Sequence, residues 1–107
     1  MQDRVLSMLG MAAKAGAVAS GGFLTEKAIK EHKARLVIIA SDASGNTRDN
    51  ISNKTTFYKV PLCFYGTKET IGHAIGKADR SCVAVLDRGF ADSIRKLVEA
   101  SSSVQSE

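Results

Sequence analysis

The chain has few histidines and cysteines and no long run of apolar residues. Its 107 residues include no tryptophan, one proline, two histidines and two cysteines. Two cysteines without a nearby histidine cluster do not form a zinc site, and Cys63 and Cys82 both lie in apolar segments, where free thiols are commonly buried. No segment approaches the roughly 18 consecutive apolar residues of a membrane helix, and the N-terminus lacks a signal-peptide pattern. We therefore predict a cytoplasmic protein with no metal, no other cofactor and no membrane contact.

Patterns typical of catalysis are also missing. His32 and His73 lie far apart, and neither has a neighbouring serine, cysteine or carboxylate in a triad-like arrangement. The segment 72–78 resembles a phosphate-binding P-loop, but the spacing between its glycines is one residue short. In addition, Ala78 stands where Ser or Thr would bind magnesium, and a helical pattern precedes the segment where a strand is required. The sequence predicts that the protein is not an enzyme.

The length of the chain limits the number of domains, and its net charge indicates the class of its partner. A chain of 107 residues has room for one hydrophobic core, and we predict one domain over residues 1–100 followed by a flexible tail over 101–107. The net charge of +4 favours a polyanionic partner, because attraction to phosphate needs a surplus of Lys and Arg. Such a surplus is only a mild indication, so the positions of the cations matter more than their total.

Helical and strand patterns alternate along the chain. The predicted elements are a helix from Asp3 to Lys14, an extended segment at 17–19, a helix from an N-cap at Ser20 to about His32, a strand at 36–40, a helix capped by the turn at 44–47 and reaching about Thr55, a strand at 61–65, a helix at 68–75, a strand at 82–86 and a helix from Phe90 to about Ala100. Because the strands are apolar throughout, both of their faces must be covered. The pattern predicts an α/β fold, a three-layer α/β/α sandwich.

The helix that follows Ser20 carries the candidate binding surface. At 3.6 residues per turn, one arc of this helix should face the sheet, and it holds Leu24, Thr25, Ala28 and Ile29. The opposite arc holds Phe23, Lys27 and Lys30. Free backbone N–H groups and the positive dipole end at the helix start favour phosphate. Gly21 and Gly22 have no side chain to keep a ligand backbone away.

Two interpretations of this surface are open on chemistry alone. An exposed aromatic ring beside lysines is typical of a nucleic-acid surface, where bases stack on the ring. Alternatively, the lysines form a solvated face and Phe23 packs against the preceding loop as a hydrophobic staple. The residues themselves do not decide between the two.

A family resemblance favours the first interpretation. The segment 21–27, followed by the strand pattern 33–40, resembles the superfamily of ribosomal proteins called L7Ae and L30e. The segments 72–77 and 80–87 resemble the fourth helix, the recognition loop and the last strand of that family, and the likeness covers about residues 1–100. The segments 41–44 and 58–61 most resemble the small bacterial members of YlxQ type.

This resemblance implies a fold, a ligand and a set of site residues. The fold is an α/β/α sandwich around a mixed four-stranded sheet. The usual ligand is a kink-turn, an RNA helix bent at a three-nucleotide bulge, which is recognised by shape as much as by sequence. By the same resemblance, Gly21 lets the RNA backbone approach, Lys27 contacts phosphate or a guanine edge, and the loop 76–80 covers the bulged nucleotides. The complete predicted RNA-binding set is Gly21, Gly22, Phe23, Lys27, Lys30, Gly76, Lys77, Ala78, Asp79 and Arg80.

The chain departs from the family in one respect. Many members carry a polar pair where this chain has Phe23 and Leu24, and only polar side chains can hydrogen-bond to guanine edges. We expect a monomer that binds structured RNA, such as a kink-turn or ribosomal RNA, and not DNA. Two rivals remain: a protein-interaction module with Phe23 as its anchor, and a substrate-recognition fragment for RNA modification. The second rival would need a further domain, which this chain lacks.

Overall fold

The computed structural model describes residues 3–105, and their side chains as far as Ser101. Helices and strands alternate as the sequence predicts. Their bounds are α1 Arg4–Lys14, β1 Val18–Ser20, α2 Gly22–Lys30, β2 Leu36–Ile39, α3 Gly45–Tyr58, β3 Leu62–Phe64, α4 Lys68–Ala74, β4 Cys82–Val85 and α5 Arg88–Gln105. Among these residues, no helix has both the length and the apolar character needed to cross a membrane.

The four strands form one mixed sheet in the order β1-β4-β2-β3. The pairs β1–β4 and β4–β2 are antiparallel, whereas β2 and β3 are parallel. All four residues of both central strands, β2 and β4, are buried. Helix α2 packs against α3 and β4, while α1 packs against α5 and α4. The predicted α/β/α sandwich around a mixed four-stranded sheet is confirmed.

The third strand is covered less completely than its apolar sequence predicts. β3 lies at the edge of the sheet and pairs only with β2. Leu62 and Cys63 are therefore half-buried, and Phe64 is exposed. Cys82 is buried as predicted, but Cys63 is only half-buried. Partial burial still raises the pKa of Cys63 to about 11, so this thiol stays protonated near neutral pH.

The starts of α2 and α5 differ from their predicted positions. Ser20 belongs to β1, and the N-cap of α2 is Gly21, whose φ of 89° is a left-handed value that favours glycine. The last helix begins at Arg88, before the predicted Phe90, because the Asp87 carboxylate accepts a hydrogen bond from the backbone N–H of Phe90 at 2.9 Å and so caps the helix.

The last helix extends into the segment 101–107, for which the sequence predicts a flexible tail. Helix α5 continues to Gln105, through the serines at 101–103. Serine is only moderately unfavourable in a helix, and neither glycine nor proline occurs there to end it. Residues 106–107 of the predicted tail lie outside the described residues.

Candidate nucleic-acid interface

The sheet brings the two predicted site segments together. In the antiparallel pair β1–β4, Ser20 lies opposite Val83, and the N–H of Gly21 donates to the carbonyl oxygen of Cys82 at 2.9 Å. The chain therefore enters α2 directly beside the point where the loop 76–80 enters β4. Segments that are far apart in sequence form one edge of the molecule, because the strands that carry them are neighbours.

The side chain of Arg80 joins these two segments. Its Nε donates to the Ser20 hydroxyl at 3.2 Å, and its Nη1 donates to the carbonyl oxygens of Asp79 at 3.0 Å and Ala78 at 3.4 Å. A Cβ built on Gly21 would lie 4.0 Å from Cδ of Arg80. Within the described part of the chain, Nη2 has no hydrogen-bond partner, so its two N–H groups can bind an anion.

The loop 76–80 is held against α4 by backbone contacts. The N–H of Lys77 donates to the carbonyl oxygen of Gly72 at 2.8 Å, and the N–H of Arg80 donates to that of Lys68 at 3.0 Å. At Gly72 the two segments touch so closely that a Cβ would overlap the carbonyl oxygen of Ala78. Gly76 has a left-handed φ of 74°, and the side chains at 77–79 are exposed. The backbone of the loop 76–80 is therefore held by hydrogen bonds, while its side chains at 77–79 are exposed to a ligand.

The start of α2 is open to a ligand. Gly21 has no side chain to cap the helix, so the first N–H groups of α2 stay free and the positive end of the helix dipole is uncovered. A Cβ at Gly22 would meet nothing within 4 Å. Of the two glycines, Gly21 is required by its backbone conformation, whereas Gly22 leaves open space beside the free N–H groups.

The exposed face of α2 is larger than the sequence predicts. Thr25, Ala28 and Ile29 are buried as expected, but Leu24 is 47% exposed, so its predicted contact with the sheet is wrong. At 100° per residue, Leu24 lies about 90° from the centre of the buried arc, which is outside a stripe of about 100° width. Phe23 is 80% exposed, which excludes the staple interpretation.

The two lysines of α2 have different surroundings. Lys27 is exposed, and among the described residues no carboxylate pairs with it. Lys30 forms a salt bridge of 2.9 Å with Glu26, which also accepts a hydrogen bond from Asn50 at 3.1 Å. The hydrogen bond with Lys30, and then the one with Asn50, lowers the pKa of Glu26, while the Glu26 partner raises the pKa of Lys30.

Sequence reasoning missed Glu26 and Ser20. The spacing of four residues between Glu26 and Lys30, with the acid first, is a recognised helix ion-pair pattern and predicts their contact. The contact of Ser20 with Arg80 has no local sequence pattern, because it depends on strand pairing. No group of three or more His, Cys, Asp or Glu side chains in the described part of the chain could hold a metal ion.

The α/β/α sandwich places the uncapped start of α2 beside the fixed loop 76–80. The model of the ribosomal protein L7Ae/L30e/S12e/Gadd45 family matches residues 3–95, and the chain belongs to this family. The predicted resemblance, and the prediction that the protein is not an enzyme, are confirmed, because this family is non-catalytic.

Individual relatives agree with this assignment. The chain is 39% identical over 92 residues to the RNA-binding protein YlxQ of Bacillus subtilis (strain 168), covering 86% of this chain and 92% of the relative. It is 33% identical over 98 residues to the RNA-binding protein YlxQ of Enterococcus faecium, covering 92% and 94%. The predicted likeness to the YlxQ type is therefore confirmed.

Solved structures support the fold. A protein with unknown function from Bacillus halodurans C superimposes with a TM-score of 0.88 at 33% identity, over 92% of this chain and 99% of that one. The 15.5kD RNA binding protein of Giardia lamblia superimposes with a TM-score of 0.71, over 96% and 92%. At 21% identity, the second likeness shows the fold alone.

Proposed function

We propose that the protein is a non-catalytic RNA-binding protein that recognises kink-turn-like structured RNA and associates with ribosomal RNA in the cytoplasm. It acts as a monomer and does not select DNA. The observation that carries the proposal is the hydrogen bond from Arg80 to Ser20, which holds the uncapped start of α2 beside the loop 76–80. Family membership, and the two relatives named as RNA-binding proteins, support RNA as the ligand.

The chemistry of this edge suits a bent RNA backbone. Free N–H groups at the start of α2 and the exposed ammonium of Lys27 attract phosphates, and Gly22 leaves room for them. Phe23 offers a ring on which an unstacked base can lie, and such bases occur at the bulge of a kink-turn. Recognition then rests on the shape of the backbone and on stacking, since Phe23 and Leu24 cannot hydrogen-bond to base edges.

The decisive experiment compares a kink-turn RNA with the same RNA lacking its bulge. We expect tighter binding to the bulged RNA, with a log–log salt slope of roughly −2 to −4 from a few phosphate contacts. Lys27→Ala should weaken binding by about 1–3 kcal/mol without unfolding the protein. The matched control is Lys96→Ala, an exposed lysine on α5. Equal affinity for the two RNAs would contradict kink-turn recognition, and a slope near zero would contradict phosphate binding.

The exposed pair Phe23 and Leu24 favours one alternative. Their side chains are 80% and 47% exposed at the end of one helix, which is an unusual place for two large apolar groups. A protein-interaction module that uses the same surface would bury this pair against a partner. It would lose that partner on Phe23→Ala and would show no preference for the bulged RNA.

A further inference from the structure

A second cationic site lies at the opposite end of the sheet from the α2 start. The strand register separates the two ends, since Ile39 pairs with Cys82 at the end that holds Arg80, and Leu36 pairs with Val85 at the other. Arg35 comes directly before β2, and Arg88 is the first residue of α5, with two residues between it and the end of β4. These residues border a cavity of about 380 Å³, lined further by the ends of α2 and α3 and by the first turns of α5.

The cavity is positively charged. Four basic side chains line it, together with the single carboxylate of Asp92; the basic residues are Arg35, Lys59, Arg88 and Arg95. All four are exposed, and none takes part in a salt bridge among the residues whose side chains are described. An unpaired surplus of cations in one concave place attracts a polyanion.

Two residues of the cavity occupy strained backbone positions. His32 and Lys59 have φ values of 61° and 59°, and they are the only non-glycine residues with positive φ in the described part of the chain. Both follow the last turn of a helix, where glycine is usual because a Cβ is unfavourable in this conformation. Both residues line the cavity, so the backbone strain falls in one concave place.

Aromatic rings lie in the wall of the cavity and next to it. Tyr58 lines it and makes edge-on contacts with His32, at 5.5 Å between ring centroids, and with Phe57, at 4.9 Å. The ring of Phe57 is 77% exposed. A site for single-stranded nucleic acid has two parts. Cations bind the phosphates, and an exposed aromatic ring stacks against a base.

We propose that this end of the protein binds a second, single-stranded segment of RNA. Arg35, Lys59 and Arg95 hold its phosphates, and a base stacks on Phe57. The protein would then join two parts of a large folded RNA, one at each end of the sheet. The inference rests on RNA being the partner, as proposed above, but it concerns different residues.

The test uses protein already saturated with unlabelled kink-turn RNA and adds a short fluorescent single-stranded RNA. We expect the oligonucleotide to bind, and Arg95→Glu to weaken this second binding by about tenfold or more. The matched control, Lys96→Glu, makes the same charge change one position further along α5, on a side chain that does not line the cavity. Phe57→Ala should weaken the second binding by about 5- to 150-fold, the range for one stacked base.

Lys59→Gly distinguishes a binding role from simple helix capping. Glycine suits the left-handed conformation, so the melting temperature should stay the same or rise, while the second RNA affinity falls. Absence of oligonucleotide binding, equal losses for Arg95→Glu and Lys96→Glu, or equal binding of an acidic peptide would each overturn the proposal. The first binding step reports separately on the proposed function, through the preference for the bulged RNA.

Discussion

The guanidinium of Arg80 reaches the hydroxyl of Ser20 at 3.2 Å, across 60 positions of sequence. The same side chain holds the carbonyl oxygens of Ala78 and Asp79. One arginine therefore sets the separation between the start of α2 and the recognition loop, in addition to offering two free N–H groups to a ligand. The geometry of the proposed RNA edge depends on this planar group as well as on its charge.

Arg80→Lys separates geometry from charge. A lysine keeps the positive charge but cannot make the fork of hydrogen bonds to Ser20, Ala78 and Asp79. We expect RNA affinity to fall by about 1–3 kcal/mol with little change in the salt slope. Fluorescence titrations at several salt concentrations measure both quantities. Arg4→Lys, at an exposed position of α1, is the control, and a variant of Arg80 with unchanged affinity would contradict the positioning role.

Gly72→Ala tests the contact between α4 and the loop. The added Cβ would overlap the carbonyl oxygen of Ala78, so the loop must shift. We expect the free energy of unfolding to fall by about 1–3 kcal/mol, as in overpacked sites, and RNA binding to weaken. Gly45→Ala is the control, because a Cβ there meets nothing within 4 Å. Urea unfolding and RNA titration of both variants give the comparison, and equal behaviour would show that the loop tolerates displacement.

Periodicity predicted the fold well, because each element buries apolar residues at its own spacing. The run 36–40 is buried throughout, and Thr25, Ala28 and Ile29 lie inward on α2 as a period of 3.6 requires. The family motifs supplied the mixed sheet, since no local pattern tells which strands pair. The edge position of β3, and with it the exposure of Phe64, follows from that pairing and was missed for this reason.

The sequence predicts which residues are candidates for the site, but it does not predict the contacts between them. The helical period of 3.6 residues predicts that Lys27 and Phe23 face outward, and both are exposed. Serine is a good N-cap, and the sequence therefore predicts Ser20 as the cap of α2. In the structure the Ser20 hydroxyl accepts a hydrogen bond from Arg80, and the N-cap is Gly21. A tertiary partner outweighed the local preference, and a single sequence cannot show such a partner.

Glu26→Gln should strengthen RNA binding. The carboxylate of Glu26 pairs with Lys30 at 2.9 Å and lies 3.8 Å from Nζ of Lys54 on α3, so it neutralises Lys30, a cation of the proposed RNA edge. Its removal raises the net charge and frees Lys30 for phosphate, and we expect a gain of about 0.3–1 kcal/mol at low salt. Titration at two salt concentrations should show a steeper slope than in the unmodified protein. The exposed Glu99→Gln is the control, and a weaker or unchanged affinity would place Lys30 outside the interface.

The hydrogen bond from Tyr65 to Asp3, 2.7 Å long, predicts a loss of stability in alkali. Burial first, and then Asp3, raises the pKa of Tyr65 to about 12, above its ordinary value of 10.0. A pKa that is higher in the folded state stabilises the fold fully below pH 10 and progressively less as the pH rises towards 12. Tyr65→Phe should remove this part of the decline, which urea unfolding between pH 9 and 12 measures. Parallel curves for both proteins would contradict this prediction. Burial also raises the pKa of the Cys63 and Cys82 thiols, and both thiols are present in the two proteins compared.

Phe23→Ala tests how the exposed ring of α2 is used. With 80% of the side chain exposed, the melting temperature should hardly change, whereas a buried phenylalanine would cost about 3–5 kcal/mol of stability. If a base stacks on the ring, affinity for the bulged RNA should fall by about 1–3 kcal/mol. The control is Met11→Ala, another exposed apolar side chain, on the opposite helical layer of the sandwich.

Two further results would contradict stacking, each in its own way. RNA affinity that is unchanged while a protein partner is lost would assign Phe23 and Leu24 to a protein interface. Equal losses for Phe23→Ala and Met11→Ala would point to general disturbance of the surface. Phe23→Tyr and Phe23→Leu refine the answer, since tyrosine keeps an aromatic face and leucine keeps only apolar area. Stacking therefore requires near-normal binding for tyrosine and a loss close to that of alanine for leucine.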